Sequence, residues 1–179
     1  VNGYELWVTD GTAAGTMLIK DINTGSGNSA PLNLVSLGNG YVLFQANDGV
    51  NGYELWVTDG TAAGTMLVKD INTGSGSSPS GGVLAIANGK VLFNATDGVN
   101  GYKLWVSDGT AAGTQPITDA LISTNAGGLV AIIGNGQTLF RASDNVDGEE
   151  LWITDGTAAG TQLFKAINNA TEGAWPANL

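Results

Sequence analysis

Acidic and amide side chains recur along this 179-residue chain at spacings suited to holding a cation. In DGVNGYE at 48–54, Asp48, Asn51 and Glu54 place three oxygen-bearing side chains within seven residues, the hard donors that Ca²⁺ prefers. Asp144, Asp147 and Glu150 form a second acidic set, whereas Asp97 and Asn100 are followed by Lys103 where the glutamate would stand. The spacing is not that of an EF-hand, and an Asx-type turn accounts for the same residues without an ion. If an ion is the cofactor, Ca²⁺ at these two acidic sets is the expectation. A second acidic motif, DGTAAGT, occurs at 10–16, 59–65, 108–114 and 155–161. There Asp10, Asp59, Asp108 and Asp155 are expected to accept backbone N–H groups and close tight structural turns, with the next glycine supplying positive φ. A phosphate cradle is excluded, because neither the lysine nor the helix it requires follows.

The rest of the composition removes whole classes of chemistry. The chain has no His and no Cys, so imidazole bases, Ser-His-Asp triads, thiol chemistry and the usual zinc and haem ligands are all missing. Carboxylates remain, and with them glycoside hydrolysis by paired acids. With 6 Lys and Arg against 16 Asp and Glu, the formal charge of -10 repels nucleic acid and anionic membranes and favours cations as partners. No apolar run reaches the length of a membrane span, so no membrane insertion is expected, and any export signal would lie outside this sequence.

The elements that must carry these residues follow from an internal repeat. Trp7, Trp56 and Trp105 recur every 49 residues and Trp152 follows after 47, while 1–29 and 50–78 differ only at Ile19 against Val68 and Asn28 against Ser77. Short runs of Val, Leu, Phe and Trp between Gly-, Asn- and Asp-rich turns predict strands rather than helices. In the most complete copy they are expected at 32–36, 41–47, 53–58 and 65–71. Apolar residues on both faces of 41–47 (Val42 and Phe44 on one, Tyr41 and Leu43 on the other) indicate a sheet sandwiched between neighbouring sheets.

The expected fold is therefore all-β, a β-propeller-type array of four-stranded antiparallel blades, with a β-solenoid as the alternative. Residues 1–179 read as one repeat array with units 1–49, 50–98, 99–145 and an incomplete 146–179. The array begins at the third strand of a blade and stops near the first, the expected phase of a segment of a longer protein, or of a protomer completed by another copy.

The segments ELWVTDGT at 5–12 and 54–61, KLWVSDGT at 103–110 and ELWITDGT at 150–157 resemble the ELW-x-x-DGT repeat family. The resemblance spans essentially the whole chain and implies an exported or surface-associated bacterial protein of β-propeller type. It also implies an extracellular or cell-surface location and no assigned catalytic activity. The DGT turn bears a looser likeness to the Asp-box turn of sialidase-like propellers, from which it departs because Asp and Gly are adjacent and Trp precedes the Asp. The leading expectation is a non-catalytic structural, adhesive or interaction scaffold whose partners are flanking blades or other copies of itself. A carbohydrate-binding propeller is the alternative. Trp175, the one aromatic residue outside the repeat pattern, is its candidate for stacking on a glycan. A carboxylate-based glycosidase is the third reading.

Overall fold

A computed structural model describes residues 2–117, 130–143 and 148–166. Alternation of large apolar residues with short turn sequences yields fourteen strands there, and the only helical element is a single 3-10 turn at Ala87–Gly89. The first sheet pairs β1 (Leu6–Val8) with β2 (Met17–Lys20). The second contains β3 (Leu32–Ser36), β4 (Val42–Asn47), β5 (Tyr53–Thr58) and β6 (Met66–Lys69). The third contains β7 (Pro79–Ile86), β8 (Lys90–Thr96), β9 (Tyr102–Ser107) and β10 (Gln115–Pro116). The fourth contains β11 (Val130–Ile133), β12 (Gln137–Ser143), β13 (Glu149–Thr154) and β14 (Gln162–Lys165). Every ladder is antiparallel and joins strands adjacent in sequence, so each four-stranded sheet is a meander built from the second half of one repeat and the first half of the next.

The expected strands at 32–36 and 53–58 form with those limits. The fourth ends at Lys69 instead of residue 71, because the backbone N–H of Ile71 leaves the ladder to bond the Glu54 carboxylate.

Strand alternation gives each sheet two apolar faces with different side chains. In the second sheet Phe44 lies opposite Trp56 on one face, and Leu43 lies opposite Val57 on the other. Phe44, Ala46 and Trp56 pack with Leu6 of the first sheet and with Ile22, which follows it. Leu43, Leu55 and Val57 pack with Phe93, Ala95 and Trp105 of the third sheet. That sheet in turn presents Leu92, Leu104 and Val106 to Phe140, Ala142 and Trp152 of the fourth. The core is thus a series of layers, each filled by a Leu- and Val-rich face from one sheet and a Phe/Ala/Trp face from the next. The densest approach between sheets runs along their first strands, with β3 beside β7 and β7 beside β11.

Tryptophan makes the dependence on a neighbouring sheet visible. Trp56, Trp105 and Trp152 are 6 to 7% exposed, but Trp7, the same residue of the repeat in the first sheet, is 56% exposed. Trp105 tilts 34° against Phe93 with ring centroids 6.5 Å apart, and Lys69 Nζ lies 5.6 Å from its ring centroid. The buried indole N–H groups of Trp56, Trp105 and Trp152 have no hydrogen-bond partner, a cost that the apolar area of the rings offsets.

Trp105→Ala is expected to destabilise the chain by about 3–5 kcal/mol, and Trp7→Ala by less than about 1 kcal/mol. Denaturant unfolding of the two variants reads the difference. Equal losses would contradict the layered core.

Candidate functional site

The acidic residues separate into three structural settings, each fixed by the local sequence. In the DGT turns, Asp59 Oδ1 accepts hydrogen bonds from the Thr61 backbone N–H at 2.8 Å and the Thr61 hydroxyl at 2.7 Å. Thr61 Oγ1 accepts from Gly64 N, the Thr65 hydroxyl donates to the Thr61 carbonyl, and Thr58 and Thr65 hydroxyls meet at 2.7 Å. Gly60 adopts φ 87°, which only glycine takes without strain. Asp10, Asp108 and Asp155 hold their turns through the same pair of bonds. The hydroxyl and N–H of Thr61 lower the Asp59 pKa, and the corresponding Thr12 and Thr157 groups lower those of Asp10 and Asp155. Burial raises that of Asp108, but its bonds to Thr110 and the charge of Lys90 outweigh the rise.

In the turns at 48–52 and 97–101, Asp48 Oδ1 accepts from the backbone N–H groups of Val50 and Asn51 at 2.9 and 2.8 Å, and Oδ2 accepts from Asn51 Nδ2 at 2.7 Å. Asp97 makes the same three bonds with Val99 and Asn100. The N–H and amide of Asn100, with Val99 N, pull the Asp97 pKa down to about 2.

Glu54 does not join Asp48 and Asn51. It sits on β5 opposite Ala46, fully buried, and its carboxylate turns to the linker that leads into the third sheet. Ile71 N donates to Oε2 and Asn72 N to Oε1, both at 3.2 Å, and the Ser78 hydroxyl makes a short bond to Oε2. Glu5 makes a related set, with Ile22 N at 2.9 Å and Ser29 Oγ at 2.5 Å in the matching places and Ser29 N at 3.1 Å in place of the asparagine N–H. Glu150 is buried at the corresponding place on β13. Among the described residues no three His, Cys, Asp or Glu side chains gather to hold a metal ion. The expected Ca²⁺ set Asp48, Asn51 and Glu54 is therefore not assembled: the turn uses the first two and the buried linker uses the third. Asp144, Asp147 and Trp175 lie outside the described residues.

What the arrangement builds is a joint between sheets. Ser78 N donates to the Tyr53 carbonyl of the second sheet at 3.0 Å, and the Ser78 carbonyl accepts from Thr96 N of the third at 3.1 Å. Ser29 bridges Tyr4 and Asn47 in the same way. At the far edge of the sheets, Lys20 Nζ donates to the Thr65 carbonyl at 2.6 Å and Lys69 Nζ to the Thr114 carbonyl at 2.9 Å, tying each sheet to a DGT turn of the next. The signal for these joints lay in the repeat itself, since Glu5 and Ser29, like Glu54 and Ser78, are 24 residues apart. After the third sheet the pattern changes: Lys103 replaces the glutamate, Thr118 stands where Lys69 stood, and the linker is two residues shorter.

Burial is the largest influence on Glu54 and lifts its pKa from 4.5 to about 7, against the lowering effect of Ser78, Ile71 and Asn72; Asp70 adds to the rise. A carboxyl whose folded pKa lies above its unfolded one contributes stability that is fully present below the unfolded value and is lost as pH rises through the folded value. Melting of the parent is therefore expected to weaken relative to Glu54→Gln between about pH 5 and about pH 8. Thermal melts of both across that range check it, and a difference in Tm that stays constant with pH would contradict it. Comparison of the chain with protein-family models, curated proteins and solved structures gave no match.

Proposed function

We propose that the chain is a non-catalytic interaction scaffold of β-propeller type, akin to the ELW-x-x-DGT repeats that its motifs resemble, and that it acts outside the cell or at a bacterial cell surface. The observation that carries this reading is the fate of the carboxylates. In the turns of the second and third sheets they hold backbone N–H groups, and at the first two joints they hold the linker between sheets, so these acids help to build the array. A glycosidase needs two carboxyl groups facing one another across a substrate, at separations of about 5–9.5 Å. The radial arrangement of a propeller is supported by the alignment of β3, β7 and β11, the first strands of successive sheets.

The partners of such a scaffold are further sheets of the same kind, in the same polypeptide or in another copy. On the first sheet Tyr4, Trp7, Val8 and Met17 are exposed, and Trp7 repeats the residue that the second sheet buries as Trp56. A face of this type is completed by a Leu-rich face like the one that Leu6 and Ile22 present to Trp56. Sedimentation velocity over a range of concentrations is expected to show reversible association that Trp7→Lys abolishes. A parent chain that stays monomeric throughout would remove self-assembly from the reading, and hydrolysis of a chromogenic glycoside by the pure protein would overturn the reading as a whole.

A further inference from the structure

Between the second and third sheets, at the end bearing the 38–40 turn, lies a cavity of about 300 Å³. Leu37, Val57 and Met66 supply apolar wall, Tyr41 stands at its side with 42% exposure, and Asp108 and Thr110 of the third sheet close the polar end. The two hydrogen bonds that Asp108 accepts from Thr110 both fall on Oδ1, so the turn itself does not use Oδ2.

The same positions recur one repeat on, and there Lys90 lies against the glycine of the DGT turn. Ile86 replaces Leu37, Val106 replaces Val57, Asp155 replaces Asp108, and Lys90 stands where Tyr41 stood. A methyl group placed on Gly156 would lie 3.1 Å from Lys90 Cδ, 3.3 Å from Ile86 Cδ1 and 3.4 Å from Lys90 Nζ. At Gly109, the matching point in the first groove, such a methyl would meet Leu37 Cδ1 at 2.9 Å and Val57 Cγ2 at 3.7 Å and nothing of Tyr41. Lys90 is half-buried; the Thr157 hydroxyl and N–H do most to lower the pKa of Asp155, and the charge of Lys90 adds a smaller lowering there and at Asp108. The chain thus supplies its own occupant at one joint, a tetramethylene chain ending in an ammonium group beside a DGT carboxylate, and leaves the other joint open.

We propose that the groove between the second and third sheets binds an alkylammonium group, with its methylenes over Leu37, Val57 and Met66 and its ammonium against Asp108. The Tyr41 ring flanks the cation, an arrangement that favours it further, and a formal charge of -10 draws cations to the surface. The same chemistry is offered by a lysine side chain of a partner protein and by a free polyamine. This inference does not rest on how sheets are added to the array, so it stands or falls separately from self-association.

The test is titration of the ¹⁵N-labelled chain with 1,5-diaminopentane and, separately, with Nα-acetyl-lysine N-methylamide, reading the amide shifts of Tyr41, Gly109 and Thr110. Saturable shifts confined to these residues are expected. Tighter binding of the diamine assigns a polyamine, and tighter binding of the lysine amide assigns a protein side chain. Nε-acetylation of the lysine probe is expected to weaken binding at least about tenfold, a difference of about 1.4 kcal/mol. Tyr41→Lys, which fills the groove as Lys90 does, is expected to abolish the shifts while keeping a folded spectrum. Asp108→Asn, which retains an acceptor oxygen for Thr110, is expected to weaken binding at least about tenfold. Equal binding by the parent and Tyr41→Lys, equal shifts at all four DGT turns, or no saturable shift with either amine would overturn the proposal.

Discussion

The array depends on a carboxylate placed where the chain leaves one sheet for the next. A linker crossing between two apolar faces carries backbone N–H groups away from water, and each unmet donor there costs about 1–3 kcal/mol. Glu54 meets two of them, at Ile71 and Asn72, and takes the hydroxyl of Ser78 as well. Ser78 can then hydrogen-bond backbone on both sides, to Tyr53 behind it and Thr96 ahead of it. One buried side chain thereby sets where the following sheet starts, and with it the register in which Trp105 meets the Leu43 and Leu55 face.

The two-faced character of the sheets explains why that placement matters. A sheet with one solvated face tolerates variation in the position of its neighbour, but these sheets bury Phe44 and Leu43 on opposite sides, each with no exposure. Each layer of core belongs to two sheets at once. The lysine bonds from Lys20 and Lys69 to the carbonyls of Thr65 and Thr114 act at the outer edge, opposite the side where the first strands meet. Neighbouring sheets are thus held at both margins, with apolar packing between.

Much of this was legible in the sequence, for identifiable reasons. The strands at 32–36 and 53–58 were readable because apolar residues alternate between turn signals, and the DGT turns because each residue of the motif has one local hydrogen-bonding task. At Glu54, spacing along the chain is a poor guide to spacing in the fold. Glu54 is six residues from Asp48, which suggested a shared ion, but strand pairing points its carboxylate to Ser78, 24 residues further on. The same limit applies to Tyr41 and Lys90. Aligned in the repeat they look like a neutral surface substitution, and only the closeness of Lys90 to Gly156 reveals that one fills a groove and the other does not.

The first two joints repeat one pattern of bonds. Glu5 and Glu54 each receive donors of the linker that follows, and Lys20 and Lys69 each tie their sheet to the next DGT turn. In a chain of nearest-neighbour contacts, stability is the sum of the units and the bonds between them, so joints of equal strength favour a common transition for the sheets they connect. Two copies of one joint thus turn three separate sheets into a single unit of stability.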